Sequence, residues 1–227
     1  MQNAINPKTL ALFDLDNTLI AGDSDHAWGE FLIEKGMVDA EEHRKQNDQF
    51  YADYCKGTLD IFAYQRFALS AIAGKKPEDL QELHDEYVQR MIQPMLLDSA
   101  RDLLDEHRRL GHYLLVITAT NDFVARPIAK MLGADDMMGC TAAIENGVYT
   151  GDIEGIPCFQ EGKVKRLEQW IAEQTTPPSM AGSYFYSDSH NDLPLLKSVD
   201  HPVAVDADEK LSRHASRENW KRISLRQ

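Results

Sequence analysis

Two aspartates directly follow an apolar run near the start of the chain. Asp14 and Asp16 are separated by Leu15 and come after residues 10–13, an apolar stretch typical of a buried strand. Carboxylates at a strand end are costly to hold together unless a cation lies between them. In open α/β sheets, ligands bind at the carboxyl ends of the strands. The pattern therefore predicts a site for a cation and a phosphate at this edge of a sheet.

Later stretches also place polar side chains where an apolar strand ends or the next helix begins. They comprise Thr118, Lys163, Asp188, His190, Asn191 and Asp192. In a doubly wound sheet these positions can face one crevice. We therefore expect them to lie near Asp14 and Asp16.

This set of side chains meets the needs of phosphoryl transfer. Mg²⁺ prefers carboxylate and water oxygens, and it screens a phosphomonoester dianion from an anionic nucleophile. Asp14 and Asp188 could bind such an ion, and Asp14 could also attack phosphorus to form an aspartyl-phosphate. Asp16 could protonate the leaving alcohol and then activate water. Thr118 and Lys163 would hold the phosphoryl oxygens as charge develops.

The four motifs resemble the signature of the haloacid dehalogenase superfamily of phosphohydrolases. The matching positions are residues 14–18 for the first motif, Thr118 for the second, Lys163 for the third, and Asp188 with Asp192 for the fourth. The resemblance spans residues 10 to about 206. It implies a phosphoric monoester hydrolase with Mg²⁺ as cofactor and a small phosphomonoester as substrate.

The resemblance also implies a role for each residue of the site. Asp14 is the nucleophile and a Mg²⁺ ligand, and Asp16 is the acid/base and a ligand through its backbone carbonyl. Asp188 is the remaining protein ligand. Asp192 supports the metal ligands without binding the ion itself, and Asn191 lies near the phosphate.

Two further positions resemble the phosphoserine phosphatases of this superfamily. Asp23 falls where these enzymes have an acidic residue for the substrate amine, and Arg66 falls where they have an arginine for the substrate carboxylate. From the residues alone, Asp23 could instead be a helix cap and Arg66 a surface arginine.

One departure from that pattern concerns the substrate. Ala119 and Thr120 stand where phosphoserine phosphatases usually have two glycines, and their side chains take room from a substrate held on the backbone. The resemblance then favours histidinol-phosphate phosphatases, whose substrate carries an amine and an imidazole but no carboxylate. Asp23 and Asp25 suit the amine. His190 is either a pocket contact or a simple loop residue. Phe159 could stack on a ring, and Trp28 could stack on a ring or pack in the core.

Alternating strands and helices after residue 96 indicate an α/β fold with a doubly wound parallel sheet. Residues 21–95 show helical patterns without a convincing strand, and they resemble the small all-helical cap of this superfamily. The predicted domains are a catalytic core of residues 1–20 and 96–227 and a cap of residues 21–95. The final strand is expected at residues 202–205, followed by a basic, solvated helix or tail.

Composition excludes several classes of function. The net charge of −13 argues against binding to nucleic acid or to an anionic membrane. Neither a membrane span nor a signal peptide is visible. Cys55, Cys140 and Cys158 fit no disulfide or zinc spacing, so free thiols in the cytoplasm are expected. Apart from His190, the histidines are expected at the surface.

The sequence therefore predicts a Mg²⁺-dependent phosphatase of a small amine-bearing metabolite. Histidinol phosphate is the favoured substrate, phosphoserine is the second, and the pathway would be amino-acid biosynthesis. Phosphotransfer to an alcohol and a non-catalytic phosphate-binding module remain alternatives. The sequence gives no prediction of oligomeric state.

Overall fold

The sheet organises the molecule. A computed structural model describes residues 7–226, and within this range seven strands form one sheet in the order β4-β3-β2-β1-β5-β6-β7. The strands are β1 (Thr9–Phe13), β2 (Tyr113–Asn121), β3 (Asp136–Glu145), β4 (Val148–Glu154), β5 (Ser179–Ser187), β6 (His201–Val205) and β7 (Lys221–Ile223). All neighbouring strands in this order pair in parallel except β3 and β4, which form an antiparallel hairpin at one edge.

Helices cover both faces of the sheet. In chain order, the helices of residues 7–226 are α1 (Ser24–Glu34), α2 (Ala40–Lys56), α3 (Ile61–Leu69), α4 (Gln81–Tyr87), α5 (Asp98–Arg109), α6 (Asp122–Met131), α7 (Glu161–Glu173), α8 (Leu193–Leu196) and α9 (Glu209–Arg217), of which α5 to α9 pack on the sheet faces. Alternate residues of β1 face two separate apolar clusters: Ala11 and Phe13 pack with α5 and α6, whereas Leu10 and Leu12 pack with α7, α8 and α9. Burial on both faces explains why this strand is an uninterrupted apolar run. The predicted doubly wound fold is confirmed.

The segment between β1 and α5 is helical, as expected for a cap. It contains α1 to α4, joined by short 3-10 turns and by one π-helical turn at Val88–Ile92. The chain enters and leaves it at adjacent points, because Ile20 pairs with Leu96 and the N–H of Ala21 donates to the carbonyl of Met95 at 2.8 Å. Within residues 7–226, no helix combines the length and apolar character needed to cross a bilayer.

Helix α2 has no apolar periodicity that would predict it. Among the described residues of this helix, His43 is the one that is buried. Its ends carry the local signals instead: the Asp39 carboxylate accepts from the N–H of Glu42, and Gly57 ends the helix at φ 81°. The helix is therefore defined by its caps and not by a core-facing stripe.

The C-terminal stretch, expected to be a solvated helix or tail, does contain a helix but packs on the core. After β6 the chain forms α9, which buries Leu211 and Ala215, and then β7, which pairs in parallel with β6. Leu225 is also buried. The three-residue β7 is too short and too basic to show a strand pattern, and its exposed cations suit the edge of a sheet.

The expectation that the histidines lie at the surface is wrong for three of them. His43, His84 and His107 are buried. His107 is paired on both ring nitrogens, with Nε2 2.8 Å from the Tyr186 hydroxyl and Nδ1 2.8 Å from Nδ1 of His112. Burial, followed by the neighbouring His112, lowers the pKa of His107 to about 4. A neutral imidazole can therefore serve as a core side chain.

Candidate active site

The carboxyl ends of β1, β2 and β5 and the helical cap enclose a cavity of about 690 Å³. Every predicted site residue except Arg66 lines it. These residues are Asp14, Asp16, Asp23, Thr118, Ala119, Thr120, Lys163, Asp188, His190, Asn191 and Asp192. Parallel strands bring their carboxyl ends to one edge, which explains why residues distant in sequence meet here.

Lys163 is the central cation of the part of the cavity that we call the catalytic floor, formed by Lys163, Asp14, Asp16, Asp188 and Asp192. Its side chain is 3% exposed, and Nζ lies 2.8 Å from Asp14 Oδ1 and 2.7 Å from Asp192 Oδ1. Asp192 also accepts from the Ser187 hydroxyl at 2.7 Å. Burial alone would lower the pKa of Lys163, but the two carboxylates raise it above its usual value. The ammonium therefore stays charged beside the predicted nucleophile.

Thr18 joins the two predicted metal-binding carboxylates. Its hydroxyl lies 3.5 Å from Asp14 Oδ2 and 3.3 Å from Asp188 Oδ1, and it accepts from the N–H of Asp188 at 3.1 Å. Burial raises the pKa of Asp14 to about 7 against the opposing effect of Lys163, and it raises the pKa of Asp188 well above its usual range. Thr18 belongs to the first motif, but its position in the sequence does not predict that it contacts both carboxylates.

The catalytic floor has more negative than positive charge. The floor is lined by Lys163 and by the carboxylates of Asp14, Asp16, Asp188 and Asp192. Among residues 7–226, no three His, Cys, Asp or Glu side chains converge as a metal site. The predicted metal donors are the carboxylates of Asp14 and Asp188 and the backbone carbonyl of Asp16, and both carboxylates line the cavity. Such hard oxygen donors with uncompensated charge fit Mg²⁺, which completes its coordination with water and substrate oxygens.

Asp16 points its carboxylate toward the cap side of the cavity. Oδ1 accepts from the N–H of Ser24 at 2.6 Å, and Oδ2 accepts from the hydroxyls of Thr120 at 2.7 Å and Thr118 at 3.3 Å. Asp14 and Asp16 therefore have different partners, as separate chemical roles require. The contact with Ser24 ties the predicted acid/base to the start of α1. Thr120, predicted to bind substrate, donates to Asp16.

The cap side of the cavity is acidic. Asp23 Oδ1 accepts from the N–H of His26 at 2.9 Å, so Asp23 caps α1 and lines the cavity at the same time. Asp25 is buried, and its Oδ1 accepts from Asn121 Nδ2 at 3.2 Å. Burial, followed by Asp16, raises the pKa of Asp23 to about 6. Burial, followed by Asp23, raises the pKa of Asp25 well above its usual range.

Arg66 does not reach the cavity. It lies half exposed on α3, with its guanidinium 3.7 Å from Asp152 on the β3–β4 hairpin. The preceding residue, Gln65, faces inward and donates to the carbonyl of Ala119 at 3.0 Å. Successive helical residues are about 100° apart, so the orientation of Gln65 turns Arg66 away. The residue expected to bind a substrate carboxylate is thus paired on the outer surface.

His190 lies between two charged partners at the rim of the cavity. Its Nδ1 is 2.7 Å from Asp208 Oδ2, and its Nε2 is 3.0 Å from Lys210 Nζ. Both ring nitrogens are therefore engaged by protein groups. The predicted contact between His190 and substrate would have to replace one of these pairs.

Three core side chains hold the C-terminus of α2, and we call them the α2 clamp: Gln160, Asn191 and Lys210. They donate to the carbonyl oxygens of Gly57 at 3.3 Å, Tyr54 at 3.1 Å and Cys55 at 2.8 Å, respectively. Gln160 Nε2 also donates to Asn191 Oδ1 at 3.0 Å. The fourth motif is thus connected to the cap. Sequence reasoning missed Gln160 and Lys210, because neither lies in a recognisable motif.

Aromatic side chains form part of the cavity wall. Phe159, Tyr54 and Tyr64 line it, with the rings of Tyr54 and Phe159 6.1 Å apart. Trp28 is buried in the apolar cluster, where it makes an edge contact with Tyr87. Of the two candidates for ring stacking, Phe159 is the one that reaches the cavity.

Comparison with known proteins gives a consistent family. The family model described as haloacid dehalogenase-like hydrolase matches residues 11–197. A protein of Neisseria meningitidis serogroup C (strain 8013) named histidinol-phosphatase is 45% identical over 94% of this chain and 97% of its own length.

Solved structures share the fold. A protein of unknown function from Bordetella pertussis Tohama I superposes with a TM-score of 0.89 at 38% identity, covering 97% of this chain and 100% of that one. A phosphoserine phosphatase solved as an analogue of its phospho-aspartyl intermediate superposes with a TM-score of 0.69 at 18% identity, covering 98% and 95% of the two chains.

Proposed function

The chain belongs to the haloacid dehalogenase-like hydrolase family, and we propose that it hydrolyses histidinol phosphate in a Mg²⁺-dependent reaction. It is a phosphoric monoester hydrolase. The observation that carries the choice of substrate is the pair Asp23 and Asp25 on the cap side of the cavity, which Arg66 does not reach. A substrate with an amine and without a carboxylate complements this charge.

The lysines of the cavity also support this choice. Lys163 and Lys210 line it, but Lys163 is held by Asp14 and Asp192, and Lys210 is held by the C-terminus of α2. A phosphoserine carboxylate would need a cation of its own, because burying it unpaired is costly. The Neisseria relative named histidinol-phosphatase is consistent with the same choice.

The first half of the reaction is a phosphoryl transfer to Asp14. A carboxylate oxygen of Asp14 attacks phosphorus, and the bond from phosphorus to the ester oxygen breaks. Asp16 gives its proton to the departing alkoxide, which leaves as histidinol. Lys163 and the hydroxyl of Thr118 stabilise the phosphoryl oxygens. When bound, Mg²⁺ would supply the positive charge that lets the anionic nucleophile approach a dianion.

The second half returns the enzyme to its starting state. Asp16, now ionised, removes a proton from water, and the resulting hydroxide attacks phosphorus. The bond from phosphorus to Asp14 breaks, and inorganic phosphate leaves. The hydrogen bonds from Ser24 and Thr120 keep the Asp16 carboxylate in one orientation through both halves.

A panel of phosphomonoesters tests the proposal. Purified protein is assayed for phosphate release from histidinol phosphate, phosphoserine and a sugar phosphate, with Mg²⁺ and with EDTA. We expect the highest kcat/KM for histidinol phosphate and loss of turnover in EDTA. A preference for phosphoserine or the sugar phosphate would contradict the substrate, and full activity in EDTA would contradict the metal requirement.

A further inference from the structure

Asp25 differs from Asp14 and Asp192, the carboxylates paired with Lys163, in its surroundings. It is 7% exposed, yet it lines the cavity. Its hydrogen-bonding neighbours are uncharged: Asn121 Nδ2 donates to it at 3.2 Å, and the Tyr64 hydroxyl faces it. Lys163 instead pairs with Asp14 and Asp192 on the catalytic floor. Asp25 is thus a buried carboxylate held by dipoles, and a cationic or N–H-bearing ligand can complete its solvation.

The position of Asp25 is fixed from both sides of the cavity. Asn121 ends β2, and its own Oδ1 accepts from the N–H of Val124 at 3.1 Å, which caps α6. Tyr64 belongs to α3 of the cap, and Ile61, one turn earlier on the same helix, also lines the cavity. A flat ring in this part of the cavity would lie against Tyr64 and Ile61 with its edge toward Asp25.

Ionised Asp25 discriminates in two directions; burial raises its pKa in the empty cavity, and a cationic substrate beside it favours the ionised form. An imidazole N–H donated to a buried carboxylate makes a charge-assisted hydrogen bond, which is stronger than a neutral one. A substrate carboxylate in the same place would meet a like charge at low local dielectric, which is unfavourable. Asp25 therefore attracts one class of phosphomonoester and repels another.

We propose that Asp25 is a specificity-determining residue that accepts a hydrogen bond from the imidazole of the substrate and excludes phosphomonoesters carrying an α-carboxylate. Asp23, which is less deeply buried, is left for the amine. The inference rests on the proposed function, because it assumes that histidinol phosphate is the substrate. It adds a recognition site for the ring and a reason for rejecting phosphoserine.

The test compares three substrates on the wild type and on Asp25→Asn. Histidinol phosphate has the amine and the ring, 2-aminopropyl phosphate has the amine without the ring, and phosphoserine has the amine with a carboxylate. For Asp25→Asn we expect kcat/KM for histidinol phosphate to fall roughly tenfold to a hundredfold, which is the range expected for losing a hydrogen bond to a charged group. The fall should come mainly from a higher KM. The 2-aminopropyl phosphate should change little, and phosphoserine should improve.

Asp102→Asn is the matched control, because Asp102 is an exposed residue of α5 and the substitution makes the same change in charge. It should leave all three rates unchanged. Equal losses on histidinol phosphate and 2-aminopropyl phosphate would overturn the role of Asp25 in ring recognition. An unchanged rate on phosphoserine would overturn its role in exclusion.

The wild type and a second variant keep the inference testable if Asp25→Asn does not fold. The wild type should prefer histidinol phosphate over 2-aminopropyl phosphate at least about tenfold, and Tyr64→Phe, which removes one donor to Asp25, should change that ratio. Equal rates on the two substrates would overturn the inference. Failure of the wild type to prefer histidinol phosphate over phosphoserine would instead overturn the proposed function.

Discussion

At the scale of single residues, the contacts of Lys163 allow the proposed catalytic role of Asp14 to be tested apart from its effect on stability. The lysine keeps its contact with Asp192 when the Asp14 carboxylate is removed, so no buried cation is left unpaired. Burial is the main effect that raises the pKa of Asp14, and Asp192 and Asp16 raise it further against the attraction of Lys163. Loss of its charge therefore removes the cost of burying that charge, together with the repulsion from these carboxylates, in the metal-free protein.

We predict that Asp14→Asn lowers turnover by about 10⁴-fold or more, the scale of losing a covalent nucleophile. Its melting temperature without Mg²⁺ should be equal to or higher than that of the wild type. Phosphate-release assays and thermal unfolding followed by circular dichroism measure the two effects. Retained turnover would contradict the nucleophile, and a lower melting temperature would contradict the charge imbalance.

The raised pKa of Asp23 predicts a pH dependence specific to amine-bearing substrates. Burial, followed by Asp16, raises this pKa to about 6, so Asp23 is ionised above pH 6 and increasingly neutral below it. A neutral carboxyl attracts an ammonium group less. We expect the ratio of kcat/KM for 2-aminopropyl phosphate to that for propyl phosphate to fall as pH drops below about 6.

The ratio cancels effects common to both substrates, including titration of the phosphate group and of Asp14. Asp23→Asn should make the ratio independent of pH between about 5 and 8, because the titrating group is absent. A ratio that falls equally in the variant and the wild type would assign the pH dependence to another group.

At the scale of secondary-structure elements, the α2 clamp provides a connection between the cap and the fourth motif. Lys210 donates to the carbonyl of Cys55, at the negative end of the dipole of α2. The clamp contacts backbone atoms, so it positions the helix and not a particular substrate. Its loss should therefore affect all substrates alike.

For Lys210→Met we predict a fall in kcat/KM of about twofold to tenfold, equal within error for histidinol phosphate and 2-aminopropyl phosphate. Lys45→Met, an exposed lysine on the same helix, is the control and should have no effect. Steady-state kinetics on both substrates measure this. A loss confined to one substrate would indicate a direct contact with that substrate.

The elements most readily predicted from the sequence are those with strong apolar patterns. Residues 10–13 and 114–117 are apolar because both faces of the sheet are covered, and parallel pairing then brings their carboxyl ends together. Helix α2 and β7 escaped prediction because one buries little apolar surface and the other is three residues long. Local sequence carries little signal for such elements.

The site was less predictable on its cap side than on its floor. The floor follows from strand ends, whereas the orientation of a cap helix depends on packing against the core. Gln65 and Arg66 illustrate this, since a difference of one residue decides which side chain meets Ala119 and which meets Asp152. The hydrogen bond from Asn121 to Asp25 joins residues far apart in sequence and has no local signal.

At the scale of the whole molecule, the imbalance of charge in the cavity links metal binding to stability. Asp14 and Asp188 converge in the folded chain and not in the unfolded one, so an ion that binds them favours folding. We predict that Mg²⁺ raises the melting temperature of the wild type by several degrees relative to EDTA. Asp188→Asn should lose most of this increase, and Asp102→Asn should keep it.

Thermal unfolding with and without Mg²⁺ requires no substrate, so the prediction is independent of the activity assay. An increase of the same size in Asp188→Asn and in the wild type would show that Mg²⁺ stabilises the protein elsewhere.

The pairing of Ile20 with Leu96 has a consequence for how this enzyme can evolve. An insertion whose two ends meet can be exchanged, lengthened or shortened without changing the register of β1 or the place of Asp14. Mutations in the segment can therefore explore new substrates while the hydrolytic steps are preserved. The hydrogen bond from Ser24 to Asp16 limits this freedom, because any replacement must again supply a donor to the proposed acid/base.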